Sequence, residues 1–265
     1  MLEREIRALD GAQFDAVVIG GGVNGAATLE HLTAAGYSCL LVEQGDFASG
    51  ATSKSSRLLH CGLRHLATGC GLKQTLFHPI QFINALKTAK ADMNARAEFV
   101  RSRPNRVKAF NFCMPLYKGD NYRPWSLDVA FFVLRLMCPF GPSLNYRRYR
   151  KWELKNIPIA PWLQNDKELI GAIVFREFQF DWPERVTLDA IFNAKNMGAK
   201  VLNYSRVKTL EPPDGSSSPW LVKLKRQDVD TSINIKANLV FNLSGEHVDQ
   251  VIRDSGANIK KKCVG

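Results

Sequence analysis

Residues 15–43 constrain this chain more than any other stretch. Asp15-Ala16-Val17-Val18-Ile19 runs straight into Gly20-Gly21-Gly22-Val23-Asn24-Gly25. The apolar residues 16–19 have the length of a buried strand. Residues 26–35 place apolar side chains at Ala26, Ala27, Leu29, Leu32 and Ala35 and read as a helix, which Gly36 ends. Residues 39–42 are a second buried-strand run, leading into Glu43. The order is strand, glycine turn, helix, strand, acid.

Gly20, Gly22 and Gly25 match G-x-G-x-x-G, and each has a physical task. The first lets the chain turn tightly. The second lets backbone approach a pyrophosphate with no Cβ between them. The third lets helix and strand pack closely. The helix N-terminus then offers N–H groups and a positive dipole end to phosphate. Glu43 stands where a carboxylate can take ribose hydroxyls. The alternative is a structural glycine turn in another α/β unit, with Glu43 a solvated acid.

The next segment points to flavin rather than nicotinamide. A simple nicotinamide-binding domain would continue with another strand–helix repeat. Residues 44–57 instead form a hydroxyl-rich loop containing Gln44, Thr52, Ser53, Ser55 and Ser56, with Lys54 and Arg57 as cations. Such a loop supplies many donors to a diphosphate and a ribityl chain. It leads into Leu58-Leu59-His60-Cys61-Gly62-Leu63-Arg64-His65-Leu66.

GGGVNG followed by LLVEQGDFASGATSKSSRLLHCGLRHL resembles the FAD-dependent glycerol-3-phosphate dehydrogenases, whose segment reads close to VE-x-x-DF-x-SGTSS-x-SS-K-L-I-HGG-x-RYL. Three further blocks carry the likeness. Residues 109–117 resemble a segment ending LPVYK. Residues 164–175 are similar to a mitochondrial-type run, Q-K-D-K-L-x-GAIVYYD. Residues 238–245 resemble V-x-N-A-T-G.

The resemblance implies an α/β fold: a glutathione-reductase-like FAD-binding Rossmann domain with an inserted, second α+β substrate domain. Residues 1–105 and 181–265 would form a discontinuous FAD-binding domain, and residues 106–180 the substrate domain. It implies oxidation of sn-glycerol 3-phosphate to dihydroxyacetone phosphate, hydride to flavin N5, and electrons passed on to quinone and the respiratory chain. Val207 would offer backbone groups to the adenine, and Ser244 and Gly245 would lie at the cofactor. Arg64 would hold the substrate phosphate, since a guanidinium suits it bidentately; otherwise it is a surface arginine at a helix start. His60 and His65 are candidate proton acceptors, with capping or packing the alternative for His60. The chain departs from the pattern at Arg57 for lysine, Cys61 for glycine, His65 for tyrosine, and Leu243 for alanine, a bulk that can crowd the diphosphate. Those departures leave open an FAD oxidase acting on another hydroxy acid or amine. The relatives are roughly twice as long, so a fragment, active or merely FAD-binding, is expected.

The remaining features set bounds. A net charge of +11 suits phosphorylated substrates and anionic membranes. Nucleic acid is not expected, because neither zinc spacing nor an RNP-like strand occurs. Six cysteines without a C-x-x-C read as reduced thiols, and no metal site is expected. Residues 1–14 carry Glu3, Glu5 and Asp10 and suit neither a secretory signal nor a presequence; Leu2, Ile6 and Leu9 form a short helical stripe. Gly69-Cys70-Gly71 breaks the helix that holds Arg64, and residues 78–100 then read as a helix with Ile80, Ile83, Leu86, Ala89 and Met93 on its apolar stripe. Residues 127–140 are too short to span a bilayer. They read as a buried helix, or as monotopic membrane contact supported by Arg147, Arg148, Arg150 and Lys151. The expected location is peripheral, on a mitochondrial inner membrane or a bacterial-type cytoplasmic membrane face. Around Asp181 and Glu184 only a helix N-terminal cap is expected.

Overall fold

The computed structural model describes residues 2–67, 79–120, 122–163, 167–213, 215, 218–227 and 231–254. The helix break at 69–71, the turn at 164–166, Cys70 and Cys263 lie outside them. Two compact units emerge: Met1–Ser56 with Trp182–Gly265, and Arg57–Asp181. They divide after residues 56 and 181, where the sequence reading set 105 and 180. Residues 57–105 join the second unit because Ala89 and Met93 of their long helix pack with Cys61, Phe131 and Phe175.

In the first unit, helix α1 (Leu2–Arg7) precedes strand β1 (Gln13–Ile19), helix α2 (Val23–Ala34) and strand β2 (Cys39–Val42). Beyond the insertion come helix α6 (Pro183–Asn196) and strands β7 (Lys200–Leu202), β8 (Ser205–Glu211), β9 (Trp220–Arg226) and β10 (Ser232–Asn242). The six-stranded sheet runs β7-β2-β1-β10-β9-β8. β7, β2, β1 and β10 are parallel neighbours, whereas β9 and β8 extend the sheet antiparallel.

Burial on both faces explains why residues 16–19 of β1 and all of β2 are apolar. Val17, Ile19, Leu40 and Val42 join one cluster with Ile6, Ile233 and Ile235. Ala16, Val18, Cys39 and Leu41 join another with Leu29 and Ala194 from the covering helices. Both faces are buried, as parallel strands require. Ile6 and Leu9 pack on the first cluster, as their stripe suggests.

β10 is one long strand shared between two partners. Its first half, Ser232–Ala237, pairs antiparallel with β9, and its second half, Lys236–Asn242, runs parallel to β1, so Asn242 arrives beside Ile19. Helix α6 opens at Pro183, which takes the first turn, where its missing N–H costs nothing, and the N-cap residue Trp182 makes no side-chain capping bond. Asp181 instead accepts a hydrogen bond from Lys108 Nζ at 2.6 Å.

In the second unit, strands β3 (Leu58–Leu59), β4 (Val107–Tyr117) and β5 (Arg147–Arg150) all pair antiparallel with β6 (Leu169–Phe180). Helices α4 (Pro79–Ser102) and α5 (Pro124–Met137) contribute to one cluster on this sheet with α3 (Leu63–Ala67). The expected stripe of α4 holds from Leu86 onward, but Ile80 and Ile83 are exposed. Helix α5 is only half the buried helix expected. Leu127, Phe131 and Leu134 face the core, with Phe131 stacked on Tyr146 at 4.2 Å, while Trp125, Val129, Phe132 and Leu136 are exposed.

The two faces of α5 should respond differently to truncation. Leu134→Ala removes a fully buried side chain and should cost about 2–5 kcal/mol in denaturant unfolding. Phe132→Ala, on the exposed face, should change stability by less than about 0.5 kcal/mol.

Candidate functional site

Gly20, at φ +112°, sits where the ends of β1 and β10 meet. A Cβ there would fall on the carbonyl oxygen of Leu243, and a Cβ on Gly25 would fall on that of Gly20. Over Gly22 the one neighbour among the described residues that a Cβ would meet within 4 Å is Thr52 Oγ1. The first and third glycines are thus demanded by chain-on-chain packing. The second leaves open backbone at the N-terminal end of α2, which it caps. This geometry fits a dinucleotide diphosphate.

Glu43 does more than the sequence suggests. Its carboxylate accepts the Gly21 N–H at 2.6 Å and the Gly45 N–H at 2.7 Å. Its own N–H donates to Leu202 O at 2.8 Å, and its carbonyl accepts the Ser205 N–H at 2.8 Å. One residue therefore ties the glycine turn, the following loop and the start of β8 together. A carboxylate has lone pairs for further donors, so ribose hydroxyls can still be accepted.

The hydroxyl loop folds back on the turn. Ala48 N–H donates to Gly21 O at 2.9 Å, and Phe47 packs into the helix–sheet core. Thr52 Oγ1 accepts the Val23 N–H at 3.1 Å, which makes it a helix cap brought from a distant loop. Ser53 Oγ donates to Ser49 O at 3.1 Å and Gly50 O at 3.0 Å. Gln44 is half-buried, and Ser55 and Ser56 are exposed.

At the other edge of the turn, Ser244 Oγ donates to Asn242 Oδ1 at 2.6 Å, while Asn242 Nδ2 donates to Val248 O at 3.1 Å. Gly245 adopts φ +60°. Leu243 turns its side chain into the core with Ala16, Val18 and Leu29, so its bulk packs the layer and does not crowd the turn. Val207 buries its side chain on edge strand β8. The ladder shifts register just after it, a bulge that takes main-chain groups out of β-pairing.

Arg64, His65 and His60 belong to the second unit. Arg64 is largely exposed, with Nη2 3.6 Å from Asp92 Oδ2. His65 Nε2 lies 3.0 Å from the same oxygen and 3.3 Å from Arg64 Nε. His60 is exposed, and Cys61 beside it is buried. Burial, reinforced by the negative Glu177, pushes the Cys61 thiol up to about 12. The sequence reading missed Asp92, Asn242 and the buried pair Arg96 and Glu177. A signal existed for the pair: Arg96 continues the Ala89–Met93 stripe, and Glu177 continues the inward alternation Ile173, Phe175.

Comparison with known proteins agrees with this geometry. A family model described as "FAD dependent oxidoreductase" (DAO) matches residues 15–263. A glycerol-3-phosphate dehydrogenase of Synechocystis is 26% identical over 94% of this chain and 42% of its own length. The mitochondrial glycerol-3-phosphate dehydrogenase of Saccharomyces cerevisiae is 27% identical over 91% of this chain and 35% of its own. The chain therefore spans well under half the length of these relatives. Among solved structures, the glycerol-3-phosphate dehydrogenase of Bacillus halodurans complexed with FAD superposes with a TM-score of 0.64. It is 23% identical over 96% of this chain and 38% of its own.

The glycines predict a contrast in cofactor binding. Gly25→Ala drives a methyl into the Gly20 carbonyl and should abolish FAD uptake in a fluorescence titration. Gly50→Ala has nothing within 4 Å to meet and should bind FAD within about twofold of the parent, a change well under 1 kcal/mol.

Proposed function

The chain belongs to the DAO family of FAD dependent oxidoreductases, and from that premise we propose that it works in the oxidation of sn-glycerol 3-phosphate to dihydroxyacetone phosphate. FAD is its cofactor. The first compact unit is the cofactor-binding part, and the second carries the substrate contacts. The observation that carries the substrate reading is the Arg64–His65–Asp92 cluster, within the segment that resembles the glycerol-3-phosphate dehydrogenases.

Bound FAD supplies a two-electron acceptor. The chain's own residues bind the substrate and handle its proton. Gly22, Glu43 and the N-terminal end of α2 hold the diphosphate and ribose. Arg64 engages the substrate phosphate, exchanging the Asp92 carboxylate for a partner of greater negative charge. His65 takes the hydroxyl proton, its ring oriented by Asp92. His60 is the second candidate base.

A peripheral membrane location, with quinone as electron acceptor, is the second part of the proposal. No helix among the described residues is long and apolar enough to cross a membrane. What favours a surface contact is the outer face of α5, where Trp125, Val129, Phe132 and Leu136 recur at helical spacing and Phe140 is fully exposed. Arg148 reaches Asp128 on the same helix at 3.2 Å, and it shares strand β5 with Arg147 and Arg150. Apolar residues beside cations match an anionic lipid surface.

Two measurements test these readings. An anaerobic visible spectrum of the FAD-loaded chain should bleach on adding glycerol 3-phosphate but not glycerol or lactate, and Arg64→Ala should raise the glycerol 3-phosphate concentration required roughly tenfold or more. Bleaching by lactate instead would redirect the reading to a hydroxy-acid oxidase. For the membrane, replacing Arg147, Arg148, Arg150 and Lys151 with serine should weaken co-sedimentation with anionic vesicles. Unchanged binding would remove that partner.

A further inference from the structure

Two charges in the second unit lie deep in its core, and the mechanism above uses neither. Arg96 is 0% exposed and Glu177 is 4% exposed. Glu177 Oε1 accepts the N–H of Cys61 at 3.1 Å, while Oε2 faces Arg96 Nε at 3.9 Å. Arg96 in turn donates from Nη1 to Pro142 O at 3.3 Å and from Nη2 to Arg176 O at 3.0 Å, and its guanidinium lies over the Phe178 ring at 4.7 Å.

The segment this pair grips is the one that carries the candidate substrate residues. β3 pairs only Leu58 and Leu59 with β6, so His60 already lies past the ladder. The next fixed point is the Cys61 amide on Glu177. Gly62 follows at φ +80°, packed so tightly that a Cβ would lie 3.1 Å from Ala89 O. His65 then meets Asp92. Ala89, Asp92 and Arg96 stand three to seven positions apart on α4, and so share one side of it. Residues 60–65 are thus held from β6 by one carboxylate and from α4 by one face.

Stability does not explain why charges are kept here. Burial pushes the Glu177 carboxyl above its ordinary range, opposed by its Cys61 contacts and Arg96. A buried ion pair is often no better for stability than apolar side chains of similar volume. What an apolar pair cannot supply is an acceptor aimed at one chosen amide. A hydrogen bond to a carboxylate is roughly twice as strong as a neutral one.

We infer that Glu177, oriented by Arg96, is a positioning residue: its bond to the Cys61 amide sets where His60, Arg64 and His65 stand. The inference concerns the segment's geometry, and its consequence for substrate rests on the glycerol 3-phosphate reading above. Two variants of the full 265-residue chain separate positioning from packing. Glu177→Gln keeps a carbonyl acceptor for the amide. The double variant Arg96→Met with Glu177→Leu removes the acceptor while leaving no unpaired charge. The readouts are the melting temperature, the imidazole NMR signals of His60 and His65, and glycerol 3-phosphate affinity.

Glu177→Gln should leave both imidazole signals at the parent's positions. The double variant should melt close to the parent, yet displace both signals and weaken glycerol 3-phosphate binding roughly tenfold. Unmoved signals in a folded double variant overturn the inference. So does a Glu177→Gln variant that displaces them as far. Should the double variant fail to fold, Glu177→Gln decides alone by the same criterion. A parent chain that does not bind glycerol 3-phosphate sinks the substrate reading, while the imidazole comparison still judges the positioning role.

Discussion

The first unit is held at one point by backbone meeting backbone. The carbonyl oxygen of Leu243 lies where a Cβ of Gly20 would be, and that of Gly20 lies where a Cβ of Gly25 would be. The end of β1, the start of α2 and the end of β10 therefore converge with no side chain between them. The convergence puts the positive end of α2 at the carboxyl edge of the parallel strands, the place where such sheets bind anionic ligands. It also makes the turn depend on a long-range contact, because β10 lies parallel beside β1 although the two are far apart in sequence. The glycine turn can be written in eleven residues, yet it is shaped by a strand more than two hundred residues away.

The second unit solves a different problem. His60, Arg64 and His65 lie on a short link and a five-residue helix, α3, after a two-residue strand that has little pairing of its own to fix them. Rigidity is borrowed from two long elements. β6 contributes a buried carboxylate, and α4 contributes a backbone carbonyl, Asp92 and the arginine that holds the carboxylate. The grips differ in chemistry and fall on different positions of the same six residues, at Cys61, Gly62 and His65. The substitution of Cys61 for the family's glycine is tolerated for the same reason: its side chain goes into the core, and the turn's left-handed conformation is taken by Gly62 instead.

What the sequence made legible was local. The glycine spacing, the extent of β2 and the acid after β2 follow from residue type and period, and the structure has them where the pattern puts them. What escaped were relations across the chain. Thr52 looks like a cofactor donor because nothing nearby says that it will cap a helix 29 residues back. Leu243 looks like an obstruction until its side chain is seen to turn into the core. Asp92 reads as one more solvated acid on a polar helix until α3 brings His65 to it. The division between the units was misplaced for the same reason, since the long helix carries no mark of the sheet on which it packs.

Helix α5 shows most clearly why pattern alone runs out. It carries apolar side chains on its outer as well as its inner face, and the usual inference from so apolar a run is burial in a core. Here the choice of inward face is made by partners outside the helix. Phe131 stacks on Tyr146 and tilts against Phe175, and Tyr146 donates its hydroxyl hydrogen to Asp128 at 2.6 Å. Those contacts turn Leu127, Phe131 and Leu134 inward, so the equally apolar Val129, Phe132 and Leu136 must face outward. Their exposure is a consequence of the packing on the other side, and Arg148, drawn to Asp128 at 3.2 Å, stands at the edge of that packing.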